Sequence, residues 1–185
     1  TNDISLATST QSIHAGFCNP KGRLLAFFHI VKYLESYLLF FPKSISENIT
    51  KKLSMYILRS NVKLELDSDE LMYFGLYTNS QDEQFDLLSN LPKNEMESVN
   101  EESLTIIKLH SNGLRVIIVG DKKNCIDFIE NNSNKLEKQN FNDWAAHNIK
   151  SGTPNIFYET QETFIPQSIN LDIIDAINFK KGCYT

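Results

Sequence analysis

Ser12-Ile13-His14-Ala15-Gly16-Phe17, then Asn19-Pro20-Lys21-Gly22, then Arg23-Leu24-Leu25-Ala26-Phe27-Phe28-His29-Ile30-Val31 is the stretch that decides the fold class. The first run is short and alternates as a strand does. The middle four residues are a strong turn signal, because Asn and Pro start turns and Gly supplies a positive φ. The third run is rich in aromatic and branched residues, which predicts a strand covered on both faces. Tyr37 to Phe41 reads as a further strand. Together these segments predict a hairpin or meander.

Downstream the period changes. Ile45, Ile49, Leu53, Tyr56 and Ile57 fall on one helical face, which predicts a helix over 44–58, with Ser44 and Glu47 spaced as a capping box. Asn61 ends it. Val62 to Leu66 alternates as a half-exposed strand, and Leu71 to Tyr77 is another strand. The stretch 79–103 is acidic and reads mainly as a solvated loop, with a short helix over 83–89. Leu104 to Leu109, a turn at Ser111-Asn112-Gly113, and Leu114 to Val119 predict a β-hairpin. Asp121 is placed to cap a helix from Lys122 to Asn131. Phe141 to Lys150 is a short helix carrying Trp144, stopped by Gly152 and Pro154. Hairpins mixed with single helices, without β-α alternation, predict an α+β fold with antiparallel sheets and packed helices. The expected division is one lobe over 1–103 and a second over 104–185.

The chain has 185 residues, with 41% hydrophobic and 22% charged, an ordinary globular mixture that argues against general disorder. The formal net charge is −5, so bulk attraction to nucleic acid is not expected and any link to RNA should be indirect or depend on a local patch. Cys18, Cys125 and Cys183 form no complete disulfide framework and no zinc-knuckle spacing; they fit free thiols in a reducing cytoplasm. No apolar run reaches membrane-spanning length.

There is no phosphate loop, G-x-G-x-x-G, H-E-x-x-H or G-x-S-x-G motif. His14 and Cys18 have the spacing of helical metal ligands, but in a strand their side chains stand about 13 Å apart, so no metal site is expected. His29 reads as a core or sheet-face histidine. Asp67, Asp69 and Glu70 cluster between strands; such a group could bind a cation, but Asp and Ser are turn formers, so a turn is the preferred reading. Lys180 and Lys181 beside Gly182-Cys183 favour the Cys183 thiolate, since nearby cations lower a thiol pKa; a small residue in a surface turn explains the same sequence. Trp144 is open to two readings, a core anchor or a flat stacking wall for an aromatic ligand.

Lys180-Lys181-Gly182-Cys183-Tyr184-Thr185 resembles the signature K-G-C-Y-T-G-Q-E of the YgfZ family, relatives of the glycine-cleavage T-protein and of the IBA iron–sulfur maintenance proteins. Trp144 to Pro154 is similar to the family's W-x-x-x-N-I-E-A-G-x-P stretch. Phe164-Ile165-Pro166-Gln167 with Asn170-Leu171 resembles F-I-P-Q-x-x-N-L, and Cys18 to Arg23 resembles the turn C-D-x-K-G-K/R. The signature breaks off after Thr185 and the chain opens with Thr1, so the resemblance leads us to expect a fragment lacking an N-terminal segment and a C-terminal barrel.

The resemblance implies T-protein-like folate-binding lobes and tetrahydrofolate as cofactor. It implies a cytoplasmic accessory protein that supports iron–sulfur enzymes and thereby tRNA methylthiolation, without direct nucleic-acid or membrane contact. It places Trp144, Lys181 and Tyr184 at the folate site and Cys183 as the signature cysteine in the catalytic position. Lys150 stands where the family usually has Glu, opposite in charge to the acceptor that pterin amino groups favour. The related aminomethyltransferases carry an Asp pair on the strand after the Gly-led turn. Here that strand reads Arg23-Leu24-Leu25-Ala26-Phe27-Phe28, with no carboxylate to hold an amine. Folate-dependent aminomethyl transfer is therefore the second expectation, and an interaction protein that has lost folate is the third.

Overall fold

The computed structural model describes residues 1–66, 69–78, 87–101, 103–111 and 113–180. They form two compact units: the described residues of Thr1–Ala7, Ile13–Ser68 and Pro154–Thr185, and those of Thr8–Ser12 and Asp69–Thr153.

The first unit is built on the predicted meander. β1 (Ile13–Cys18), β2 (Leu24–Tyr33) and β3 (Ser36–Phe40) pair antiparallel in that order. The turn between β1 and β2 works as its residues predict. The Gly22 N–H donates to the Asn19 carbonyl, the Asn19 carboxamide oxygen accepts from the Lys21 and Arg23 N–H groups, and Gly22 takes φ 73°. β2 is central and its first eight residues are buried, which is why it reads as a continuous apolar run. Ala26, Phe28 and Ile30 pack with Ile45 and Ile49, while Leu24 and Phe27 pack with Ile156, Leu171 and Ala176.

A 3-10 turn (Lys43–Ile45) leads into α1 (Ser46–Ser54). The expected capping box is absent: Ser44 lies inside the 3-10 turn, and Ile45 takes the N-cap position without a side-chain cap bond. The helix also stops earlier than its pattern predicts. Ile45 and Ile49 are buried, but Met55, Tyr56 and Leu58 are exposed and add no packing to extend it. The alternation over 62–66 forms no strand, since a strand needs a partner ladder and these residues have none among the described residues.

The second unit is a four-stranded antiparallel sheet in the order β4 (Leu71–Tyr77), β7 (Arg115–Asp121), β6 (Leu104–Lys108), β5 (Ser98–Glu101). β5 lies within the stretch expected to be a loop. It is an edge strand, and charged residues on edges hide a strand while discouraging wrong pairing; its Glu101 carboxylate accepts the Ser89 and Asn90 N–H groups. Phe74, Leu76, Ile106, Val116 and Ile118 face a core closed by Phe128 of α2 (Lys122–Asn131). Asp121 is the N-cap of α2, although its side chain makes no cap bond. α3 (Phe141–Lys150) begins at a full capping box between Asn140 and Asp143, and Gly152, at φ 68°, follows its C-terminus.

The antiparallel α+β expectation is thus met. The helix expected over 83–89 falls mostly outside the described residues, as does Asn112 of the β6–β7 turn. Among the described residues no helix is long and apolar enough to cross a membrane, and no group of metal-ligating side chains is assembled.

Candidate ligand site around Trp144

Alternation along β4 turns Tyr73, Gly75 and Tyr77 away from the α2 core. The register sets Tyr77 opposite Arg115 and Gly75 opposite Ile117, so these residues share a sheet face. α3 presents Trp144, His147 and Asn148, spaced i, i+3 and i+4, toward the same residues. The Trp144 benzo ring occupies the space that any side chain at 75 would need: a Cβ there would lie 2.3 Å from its Cζ3. Tyr77 packs 4.1 Å from the His147 ring and 6.4 Å from Trp144, between centroids. Trp144 itself is half-buried, so the indole is both packed and partly open.

Arg115 is the electrostatic centre of this cluster. It is 2% exposed. Its Nη2 donates to the Asn148 Oδ1 at 2.6 Å and its Nη1 to the Ser151 Oγ at 3.4 Å. Its Cζ lies 4.7 Å from the Trp144 ring centroid, a cation–π contact. Its Nε is buried without a hydrogen-bond partner among the described residues. Burial lowers the guanidinium pKa to about 10, still well above neutrality, so the cation persists. The His147 pKa is lowered, first by burial and then by the Arg115 and Lys150 charges, with Asp143 opposing. A neutral imidazole therefore packs against Tyr77 at pH 7. The Tyr77 pKa is raised, first by burial and then by Asp143 and Glu137, which keeps the phenol protonated. Together these groups offer a flat polarisable surface, a fixed positive charge and a neutral ring nitrogen.

The expected site residues fare differently. Trp144 lies at this cluster. Lys181, Cys183 and Tyr184 lie outside the described residues, as does Asp67. His14 and Cys18 lie on β1, as the strand reading requires, and His14 pairs across to His29 on β2 with ring centroids 5.1 Å apart. Both histidines are buried in the first unit. Cys18 is half-buried and burial raises its pKa. Lys150 is exposed at the C-terminal end of α3. Sequence reasoning did not single out Arg115, Gly75, Tyr77 or His147. One signal was available: Arg115 directly precedes the apolar run Val116–Val119, and a charge at the edge of such a run needs a dedicated environment.

No family model matches the chain. Curated proteins named "tRNA-modifying protein YgfZ" do align with all of it. The protein from Blochmanniella pennsylvanica is 27% identical over 186 residues, that from Escherichia fergusonii 27% over 185, and that from Shigella boydii 28% over 185. The chain is similar to the YgfZ proteins along its whole length. It spans 56% to 57% of the length of these YgfZ relatives. The expected resemblance is thereby supported across the whole chain, including the segment that carries Trp144.

Proposed function

We propose that this chain is the folate-binding part of a YgfZ-type accessory protein that supports iron–sulfur enzymes in the cytoplasm and, through them, tRNA modification. The observation that carries the reading is the Trp144 cluster. A half-open indole beside a buried cation that has no carboxylate partner among the described residues suits a flat, electron-rich heterocycle.

Tetrahydrofolate fits the donor set at this cluster. Trp144 supplies the stacking face, Tyr77 flanks it, and the neutral His147 nitrogen accepts a hydrogen bond from a ring N–H or amino group. Arg115 keeps the surroundings positive, which suits the folate carboxylates. When bound, folate supplies a one-carbon carrier. The residues of this chain bind and orient it.

Aminomethyl transfer has less support. β2 is buried along most of its length and carries no carboxylate to hold an amine or stabilise an iminium. The YgfZ relatives are named for tRNA modification, and the net charge of −5 favours an indirect route to tRNA over direct binding.

The test is genetic and chemical. Deleting the gene lowers methylthiolated tRNA, the intact gene restores it, and a copy carrying Trp144→Ala restores little. Unchanged methylthiolation after deletion contradicts the role in tRNA modification. Full restoration by the Trp144→Ala copy contradicts the site.

A further inference from the structure

Arg115 is buried where a charge costs most, yet among the described residues no carboxylate pairs with it. Its named hydrogen-bond acceptors are an amide oxygen and a hydroxyl oxygen, and its Nε has none among the described residues. A structural arginine buried in a sheet is ordinarily paired with an acid, because an uncompensated buried charge is strongly destabilising. With no acid beside it among the described residues, the charge leaves a positive field directed at the neighbouring groups. Those neighbours are Trp144, 4.7 Å from the guanidinium carbon, and His147, whose protonation the field opposes.

The geometry also makes Arg115 a brace. Its two bonds tie the start of β7 to Asn148 on α3 and to Ser151 just beyond it. Gly75 admits the indole from the β4 side. The plate is therefore located by β4, β7 and α3 together.

We propose that Arg115 is the positioning residue of the Trp144 site: its guanidinium braces the indole and surrounds it with fixed positive charge, so that the site takes a flat heterocycle bearing acidic groups rather than a cationic one. The ligand part of this inference rests on the reading of Trp144 as a ligand-facing plate. The charge and bracing parts do not. The groups facing His147 are Arg115 on β7, Tyr77 on β4, and Asp143 and Lys150 on its own helix. Only Arg115 changes in the variants below.

The experiment uses the full chain, wild type and with Arg115→Lys or Arg115→Met, each checked for folding by circular dichroism. Trp144 is the single tryptophan, so its emission reports this site alone. In ligand-free wild type, iodide quenches that emission more efficiently than caesium, each normalised to free indole. Arg115→Lys keeps the bias, whereas Arg115→Met loses it and raises the His147 titration midpoint followed by NMR. A structural role alone would not separate Lys from Met in this way. With ligand, wild type binds 5-formyltetrahydrofolate roughly tenfold more tightly than tetrahydrobiopterin, which lacks carboxylates, and Arg115→Met narrows the gap.

Caesium quenching equal to or stronger than iodide quenching in wild type overturns the proposal, even if Arg115→Met fails to fold. So does a folded Arg115→Met protein with an unchanged bias and His147 midpoint. Absence of binding by both pterins overturns the folate reading, while the ligand-free measurements still decide the role of Arg115.

Discussion

The Arg115 guanidinium carbon lies 4.7 Å from the centre of the Trp144 indole, held there by neutral oxygens of Asn148 and Ser151. The contact joins a strand residue to a helix residue within one unit. It converts a lone tryptophan, ambiguous in the sequence, into part of a charged aromatic site.

Gly75 is the first test of that site. Its backbone is not in the left-handed region, so alanine is tolerated conformationally. The added Cβ would nevertheless overlap the indole. Gly75→Ala should displace Trp144, red-shift its emission and cost about 1–3 kcal/mol by chemical denaturation, the range of overpacking. An unshifted spectrum would mean that the indole does not rest on β4.

Asn140 fixes the start of the helix that carries Trp144. Its side chain accepts the Asn142 and Asp143 N–H groups, and Asp143 returns a bond to its backbone. Asn140→Ala should cost about 0.5–2 kcal/mol. Hydrogen exchange should accelerate in the first turn of α3 before it does so in β7.

Glu95 gives a pH signature. Burial pushes its pKa up, but hydrogen bonds from His110 and the Ser111 N–H, with the His110 and Lys108 charges, bring it below the ordinary value. A depressed carboxylate contributes stability above its unfolded pKa and loses it as pH falls through the folded one. Glu95→Gln should therefore destabilise near neutrality and become indistinguishable from wild type well below pH 4.5, the ordinary value. The pair is partly exposed and screened, so the effect should stay below about 1 kcal/mol. Melting temperatures of both proteins across that range check it.

The thiols should separate by environment. Cys125 is fully buried, its Sγ contacts the Met72 carbonyl, and its pKa is raised mainly by burial, as is that of half-buried Cys18. Both should label slowly in the native protein at pH 7. Cys183, beside Lys180 and Lys181 in the sequence, should account for the fast-reacting thiol, so Cys183→Ser should abolish the fast phase. A fast phase that survives this substitution would assign it to Cys18 or Cys125.

Much of the fold was legible because local chemistry and tertiary pairing agree. The Asn19–Gly22 turn, the apolar β2 and the Phe141–Lys150 helix with its Gly152 stop each carry their signal within a few residues. The failures arose where partners decide. Val62 to Leu66 alternates correctly but has no ladder to join. β5 is paired on an acidic edge where its composition resembles a loop. Ser44 and Glu47 have the right spacing but are displaced by a 3-10 turn. At the site, Trp144 was visible because tryptophan is rare. Its setting was not, because Gly75, Tyr77 and Arg115 converge only through strand register.

The most direct test of the central claim is a titration of the full chain with tetrahydrofolate, following Trp144 emission. The account predicts saturable quenching, abolished in Trp144→Phe by loss of the reporter but paralleled by weaker binding of the same ligand in equilibrium dialysis. Unquenched emission at ligand concentrations that saturate dialysis, or no binding in either measurement, would contradict it.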